Sequence, residues 1–248
     1  MARFLVPVYF IAATVVSFLA WWNLPALGEL GNQMKEGGPL VAMLILLLIL
    51  QVTFVLERTW SLNKAKGRGS LPDFLNNVRK KIHAGDVDGA IQLCGQQRGS
   101  AANVMRAGLE RYQMLRKEGA PKDKVVAETQ AAIQEANGLE VPLLERNLIA
   151  LSTIASIGTM VGLLGTVIGM IRSFAALGHT GAVDASKLAV GISEALINTA
   201  GGLIVAILGI VMYNVFVTRV DGFNYMMDEA SYEAVQLLAA SASASEKK

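Results

Sequence analysis

Charged residues are scarce in this chain of 248 residues, and so are cysteine and histidine. Lys, Arg, Asp and Glu make up 17% of it, against about 25% in an ordinary soluble domain. The single cysteine, Cys94, excludes an intrachain disulfide framework. The two histidines lie far apart and form no metal-ligand cluster with it. A net charge of +2, with no basic block interleaved with aromatics, argues against a nucleic-acid partner.

The deficit of charge is concentrated in four long apolar runs. Residues 4–28, 37–56 and 147–171 carry no Asp, Glu, Lys, Arg or His, and residues 188–218 carry only Glu194. Each run is long enough, at about 20 residues or more, to cross the hydrocarbon core of a bilayer as a helix. The sequence therefore predicts an all-α polytopic membrane protein whose long transmembrane helices extend into a helical cytoplasmic domain.

The first run allows two interpretations. Arg3 followed by an apolar stretch resembles a signal peptide, but no clean A-x-A cleavage site precedes Trp21 and Trp22. This Trp pair suits the interfacial belt of a retained helix, which we favour. The predicted segments are an extra N-terminal transmembrane helix or uncleaved signal-like segment (1–28), three more transmembrane helices (38–57, 147–172 and 187–219), a cytoplasmic helical domain (58–146), and a cytoplasmic C-terminal helix with a disordered tail (220–248).

Basic residues set the predicted orientation. Seven Lys and Arg residues fall between 58 and 81, whereas the short connections 29–36 and 172–187 hold few. By the positive-inside rule, residues 57–146 face the cytoplasm, and both termini do so if the first span is retained. Mixed charge within 57–146 favours a solvated helical bundle over a catalytic domain. Helical spacing from residue 127 onward predicts one continuous helix into the third span, bent near Pro142.

The third span carries two stripes at helical spacing. One stripe consists of Gly158, Gly162, Gly165 and Gly169, a small-xxx-small pattern that predicts close packing of another helix. The second has hydroxyls every seven residues, at Ser152, Thr159, Thr166 and Ser173. From spacing alone, these hydroxyls fit equally well hydrogen bonds to their own helix and the polar lining of a path for ions.

The fourth span places small and polar residues on one face. Its stripe consists of Gly191, Glu194, Asn198, Gly201, Gly202, Val205 and Gly209, with Thr199 at the edge. A charged side chain facing lipid costs at least about 2.5–3.5 kcal/mol near the helix centre, so Glu194 is predicted to face protein or water. It either ties helices together or serves an ion or proton site, and we favour the second because intramembrane acids are usually functional.

The two span motifs together resemble a known family. GLLGTVIGMIRSF, followed after a short loop by GISEALINTAGGLIVAI and YNVF, is similar to the MotA/TolQ/ExbB proton-channel family, and most like ExbB and TolQ. AGDVDGAIQLC also looks like a cytoplasmic helix of that family. The resemblance covers roughly residues 38–238. Its pore positions match Thr166, Glu194 and Thr199.

The resemblance implies a homopentamer around a pore that holds an ExbD/TolR-like single-span partner with an intramembrane Asp. It further implies that proton motive force drives a TonB- or TolA-like protein at the outer membrane, with protons as the coupling ion and no other cofactor. Two departures are Thr159 and Leu208, where the family usually has Pro, and Asn198 adds a polar group beside the acid. Thr159 and Asn198 therefore join the candidate pore residues.

Other classes of protein fit the sequence less well. A membrane scaffold that conducts nothing would share the glycine faces and is the main alternative. A small-molecule transporter is disfavoured because the four spans show no inverted repeat. An enzyme is not expected, since no pairing of nucleophile and base is visible.

Overall fold

The computed structural model describes residues 2–178 and 185–246, and over these ranges the fold is helical without any strand. The helices are α1 (Ala2–Trp22), α2 (Glu29–Glu36), α3 (Pro39–Lys66), α4 (Leu71–His83), α5 (Val87–Gln97), α6 (Ser100–Lys117), α7 (Lys122–Glu145), α8 (Leu148–Gly178) and α9 (Ala185–Glu246), with a 3₁₀ turn at Leu24–Leu27.

The all-α membrane class is confirmed. Among the described residues, three helical stretches, Pro39–His83, Lys122–Ala175 and Ala185–Ala240, are long and apolar enough to cross a membrane. The first apolar run forms α1, of which the stretch Ala12–Trp22 is a shorter apolar helix. Residues 179–184 of the expected connection between the third and fourth spans lie outside the described residues. Arg172, expected at the edge of that connection, lies within α8.

The expected continuous helix into the third span is interrupted. Helix α7 ends at Glu145, α8 begins at Leu148, and Pro142 lies inside α7. Arg146 leaves the helical conformation (φ −51°, ψ 138°), and Asn147 is left-handed at φ 63°. Asparagine tolerates this conformation better than most residues, and its Nδ2 donates to Glu57 Oε2 at 3.2 Å. The helix is therefore interrupted at Arg146 and Asn147, beginning four residues after Pro142.

The chain divides into two compact units. The apolar unit comprises Met1–Glu57 and Asn147–Val215, and the polar unit comprises Arg58–Arg146 and Phe216–Lys248. A cluster of buried aliphatic side chains joins three helices of the apolar unit: Leu44 and Leu47 of α3, Ile154 and Val161 of α8, and Val205 of α9.

Glycines bring α8 and α9 into backbone contact within the apolar unit. All four glycines of the α8 stripe are buried. A Cβ built on Gly162 would lie 3.1 Å from Gly202 Cα, and one on Gly202 would lie 2.6 Å from Gly158 O. These helices pack closely because these positions lack side chains, which is how helices associate in lipid.

The polar unit is a helical bundle with an ordinary core. Helix α4 buries Leu71, Phe74, Val78 and Ile82, at the spacing of one helical face. Asp86 caps α5, accepting a hydrogen bond from Gly89 N at 2.8 Å. The C-terminal part of α9 is tied to α4 by the Arg79–Glu233 ion pair and to α7 by the Asn137–Asp228 hydrogen bond.

Candidate functional site

Glu194 and Asn198 lie on the buried face of α9. Glu194 is 5% exposed and Asn198 is fully buried, whereas Ile192, Leu196, Leu203 and Ile207 are 38–65% exposed. The wheel of the fourth span predicts this division, because residues three and four apart share a helix face. The buried polar pair therefore faces protein of its own chain.

Arg172 of α8 forms an ion pair with Glu194. Its Nη1 lies 2.5 Å from Glu194 Oε1, a charge-assisted hydrogen bond. The Arg172 side chain is 55% exposed and that of Glu194 only 7%. An isolated carboxylate buried in an apolar unit would be costly, and this arginine supplies a partner for it. Sequence reasoning missed Arg172 because it treated this residue as the end of the span.

The junction between α2 and α3 covers the same carboxylate. Gly38 has φ +72°, and a Cβ there would lie 2.8 Å from Glu194 Oε1. Only glycine satisfies both the left-handed backbone and the close approach of the acid without strain. The Gly-Gly pair before Pro39 is the sequence signal for this position, although nothing in the sequence links it to Glu194.

Asn198 fixes this junction to α9. Its Nδ2 donates to Gly37 O at 2.8 Å and to Glu194 O at 3.0 Å. Its Oδ1 is buried and has no hydrogen-bond partner in the described structure. A Cβ on Gly165 would lie 2.2 Å from Asn198 Cβ, so the small residue on α8 makes room for the amide.

The α8 hydroxyls bond mostly to their own helix. Thr159 Oγ1 donates to Ala155 O at 3.2 Å and Thr166 Oγ1 to Leu163 O at 2.6 Å. Ser152 likewise donates to Ile149 O, at 3.0 Å. Ser173 differs, because its hydroxyl donates to Leu188 O of α9 at 3.2 Å. Within one chain, Thr159 and Thr166 thus make no hydrogen bond with the acid among the described contacts.

Thr199 lies at the contact between the two spans. Its Oγ1 donates to Ala195 O at 3.1 Å and reaches Gly162 O of α8 at 3.5 Å. Of the predicted pore residues, Glu194 and Asn198 lie one turn apart on the buried face of α9, and Thr199 contacts α8. Thr159 and Thr166 lie on α8. Gly201 is half-buried beside Leu44 of α3.

A cavity of about 260 Å³ adjoins the ion pair. Its lining consists of Arg172, Ser186, Lys187, Val190, Gly191 and Glu194. Two cationic side chains therefore share this space with the acid at one end of the spans. In the described part of the chain, no three His, Cys, Asp or Glu residues form a group that would hold a metal ion.

Gln51 is a second polar residue that sequence reasoning missed. It is 2% exposed in the middle of α3. With its amide oriented to satisfy both groups, Nε2 donates to Val205 O at 3.1 Å and Oε1 accepts from Gly209 N at 2.6 Å. The amide thus joins α3 to the backbone of α9. The sequence signal is a lone amide in a run without charge.

Cys94 offers no reactive thiol. It is buried in α5, and this burial raises the pKa of the Cys94 thiol to about 12. Since the thiolate is the nucleophile, a thiol with such a pKa is inert at neutral pH.

Comparison with known proteins places these spans among membrane transport components. Residues 96–229 match the MotA/TolQ/ExbB proton channel family. An ExbB-like protein (ExbB-like 3) of Synechocystis is 34% identical over 184 residues, which cover 73% of this chain and 81% of that protein. TolQ of the Tol-Pal system of Pseudomonas aeruginosa is 38% identical over 117 residues, 47% of this chain and 51% of that protein. The biopolymer transport protein ExbB of Pseudomonas putida is 40% identical over 88 residues, 36% of this chain and 27% of that protein.

Proposed function

Because the chain belongs to the MotA/TolQ/ExbB proton channel family, we propose that it is the channel-forming subunit of a proton-driven motor. In this proposal five copies surround an ExbD/TolR-like single-span partner. The assembly uses proton motive force to energise transport or envelope maintenance at the outer membrane. The observation that carries the proposal is the buried carboxylate of Glu194 on the α9 face that packs against α8.

The proton role rests on the chemistry of this position. Glu194 is the only acid in the fourth apolar run, and a carboxyl group is a common proton carrier within membranes. Arg172 forms an ion pair with the Glu194 carboxylate. The cavity beside this ion pair is space from which a proton can reach the carboxyl group. A proton could therefore exchange with the carboxyl group when the ion pair opens.

The proposed assembly of several chains rests on the single acid in the membrane spans of each chain. One intramembrane acid cannot form a relay across the bilayer, so other copies or a partner must complete it. The outer face of α8 supports association, because Met160, Leu163 and Val167 are 55–66% exposed there. Such apolar faces pack against lipid or against neighbouring helices.

The energised process is suggested by the names of the relatives. Several are biopolymer transport proteins named ExbB, and others are TolQ proteins of the Tol-Pal system. A TonB- or TolA-like protein is therefore the proposed recipient of the motion, in the inner membrane of a bacterium.

A scaffold without conductance is the second candidate. The observation that favours it is the satisfaction of Thr159 and Thr166 by carbonyls of their own helix, which a structural role explains fully. This candidate predicts that the polar side chains of α8 and α9 matter only for packing.

Proton flux through the reconstituted assembly separates the two candidates. The tagged chain is purified with the proteins that accompany it, its native mass is measured, and the assembly is placed in vesicles containing a pH-sensitive dye. Under an imposed potential, Glu194→Gln should reduce proton flux to the level of vesicles without protein. The matched control is Glu36→Gln, an exposed acid that accepts a hydrogen bond from Ser193, and its flux should stay at the wild-type level.

Unchanged flux in Glu194→Gln would refute the proton role and favour the scaffold. A native mass that does not equal five copies of this chain plus the accompanying partner chains would refute the proposed stoichiometry. Loss of flux in both variants would show that charge near the membrane surface, rather than Glu194, controls the measurement.

A further inference from the structure

A second cavity, in the polar unit, is lined by cations. It encloses about 500 Å³ where the end of α3 meets the start of α6. Lys64, Arg68 and Arg98 line it, together with the hydrogen-bonding side chains of Ser61, Ser100 and Asn103. No Asp or Glu is among the lining residues. Its charge is therefore strongly positive.

These cations lack carboxylate partners in the described structure. No described ion pair includes Arg68 or Arg98, and Lys64 Nζ instead lies over the ring of Trp60, 5.5 Å from its centroid. Glu140 accepts a hydrogen bond from Asn103, one of the lining residues, at 2.8 Å. Three like charges around one cavity repel each other, and a bound anion would relieve that repulsion.

The backbone holds the cations in place. Gly67 has φ +77°, and a Cβ there would lie 1.8 Å from Arg98 O. Arg68 N donates to Gln97 O at 2.8 Å, and Gln97 Nε2 donates to Lys66 O at 3.2 Å. The segment that follows α3 and the segment between α5 and α6 are therefore in direct backbone contact. This contact places Arg68 and Arg98 side by side.

The position of Lys64 along α3 indicates the source of the anion. A bilayer core of about 30 Å takes up roughly 20 residues of a helix that begins at Pro39. Lys64 then lies about 8 Å beyond the core, at the depth of the lipid headgroups, and its flexible stem can reach back toward them. Trp60 and Leu143 provide apolar surface beside the cations, at 69% and 56% exposure. Tryptophan prefers this depth of the membrane.

We propose that this cavity binds the phosphate group of an anionic phospholipid. Lys64, Arg68 and Arg98 neutralise the phosphate. The hydroxyl groups of Ser61 and Ser100, which also line the cavity, form hydrogen bonds with the headgroup. Leu143 contacts the acyl chains at the edge of the cavity. The site is separate from Glu194 and does not depend on the proton function. Free phosphate has the same charge chemistry but would not use the exposed apolar surface.

Quenching of Trp60 by brominated lipids tests this site directly. The chain has three tryptophans, so the full-length Trp21→Phe/Trp22→Phe variant leaves Trp60 as the sole reporter beside Lys64. The purified protein is reconstituted in phosphatidylcholine vesicles that contain either brominated phosphatidylglycerol or brominated phosphatidylcholine. Trp60 should be quenched preferentially by the phosphatidylglycerol. Arg68→Gln and Arg98→Gln should each reduce that preference by about fivefold, the effect expected for one basic residue near an anionic surface.

The matched control removes two charges elsewhere in the polar unit. Lys80→Gln/Lys117→Gln changes exposed lysines outside the cavity and should leave the preference unchanged. An equal loss in this control, or an unchanged preference in both arginine variants, would overturn the proposal. If inorganic phosphate abolishes quenching by brominated phosphatidylglycerol, the cavity prefers free phosphate and the assignment to lipid is wrong.

Discussion

Arg172 Nη1 and Glu194 Oε1 lie 2.5 Å apart, and they join α8 to the buried face of α9. The arginine is half in solvent while the acid is almost fully covered. The two residues therefore respond differently to substitution. Loss of Arg172 leaves the buried carboxylate of Glu194 without its partner, whereas loss of Glu194 leaves only an exposed guanidinium.

A double-mutant cycle measures the coupling within this pair. Arg172→Gln should lower the free energy of unfolding by about 1–2 kcal/mol, less than for a fully buried pair because the guanidinium is exposed. Arg172→Gln/Glu194→Gln should be more stable than Arg172→Gln alone, since it removes the unpaired charge. Thermal unfolding in detergent provides the measurement. Additive effects of the two single changes would contradict the coupling.

Gly38→Ala should disturb Glu194 specifically. The new methyl group would meet Glu194 Oε1 at 2.8 Å, in addition to the strain of a left-handed alanine. Gly28→Ala is the matched control, because Gly28 has a similar φ of +77° and nothing within 4 Å of its Cβ position. Gly38→Ala should unfold at a lower temperature than Gly28→Ala. Equal unfolding temperatures would mean that the acid moves aside without cost.

Gly202→Ala should separate α8 from α9. Its Cβ would lie 2.6 Å from Gly158 O and 2.8 Å from Gly162 Cα, both backbone atoms that cannot move alone. Overpacking of this kind typically costs about 1–3 kcal/mol. Gly222→Ala, in the same helix with nothing within 4 Å, should instead stabilise by up to about 1 kcal/mol through helix propensity. Chemical unfolding of both variants should therefore give shifts of opposite sign.

Cys94 should resist thiol reagents in the folded protein. Burial raises the pKa of its thiol from 9.0 to about 12, so the folded state disfavours the thiolate. The stability this contributes is complete below pH 9 and is lost as the pH rises toward 12. At pH 8, a chromogenic disulfide reagent should react slowly with the native chain and quickly after unfolding in dodecyl sulfate. Ser70→Cys/Cys94→Ala, with an exposed thiol, should react quickly in both states.

The fold class could be predicted because lipid imposes a simple pattern on sequence. Runs without charge predict the spanning helices, and a 3.6-residue period assigns Glu194 and Asn198 to one face, which the structure buries. Contacts between distant segments leave no such pattern. Neither Gly38 beside Glu194 nor Gln51 bound to the α9 backbone could be recognised before the helices were assembled.

A local sequence pattern can be misleading when it is compatible with more than one structure. Helical spacing predicted one continuous helix into the third span, but the helix breaks at Arg146 and Asn147, and the Asn147 side chain donates a hydrogen bond to Glu57. The hydroxyls of α8 fit a polar path by spacing, yet in one chain Thr159 and Thr166 bond to carbonyls of their own helix. Spacing specifies the face of a helix, but the partner of a hydroxyl depends on its neighbours.

The contact between Gly38 and Glu194 also makes Gly38 an intrinsic spectroscopic probe. Amide signals of glycine occupy their own region of a two-dimensional proton–nitrogen spectrum, and this backbone lies within a few ångströms of the carboxyl group. A gain or loss of the proton on Glu194 changes the electric field at that amide. The charge state of a buried acid can thus be followed at a neighbouring glycine, without an added label or a substitution.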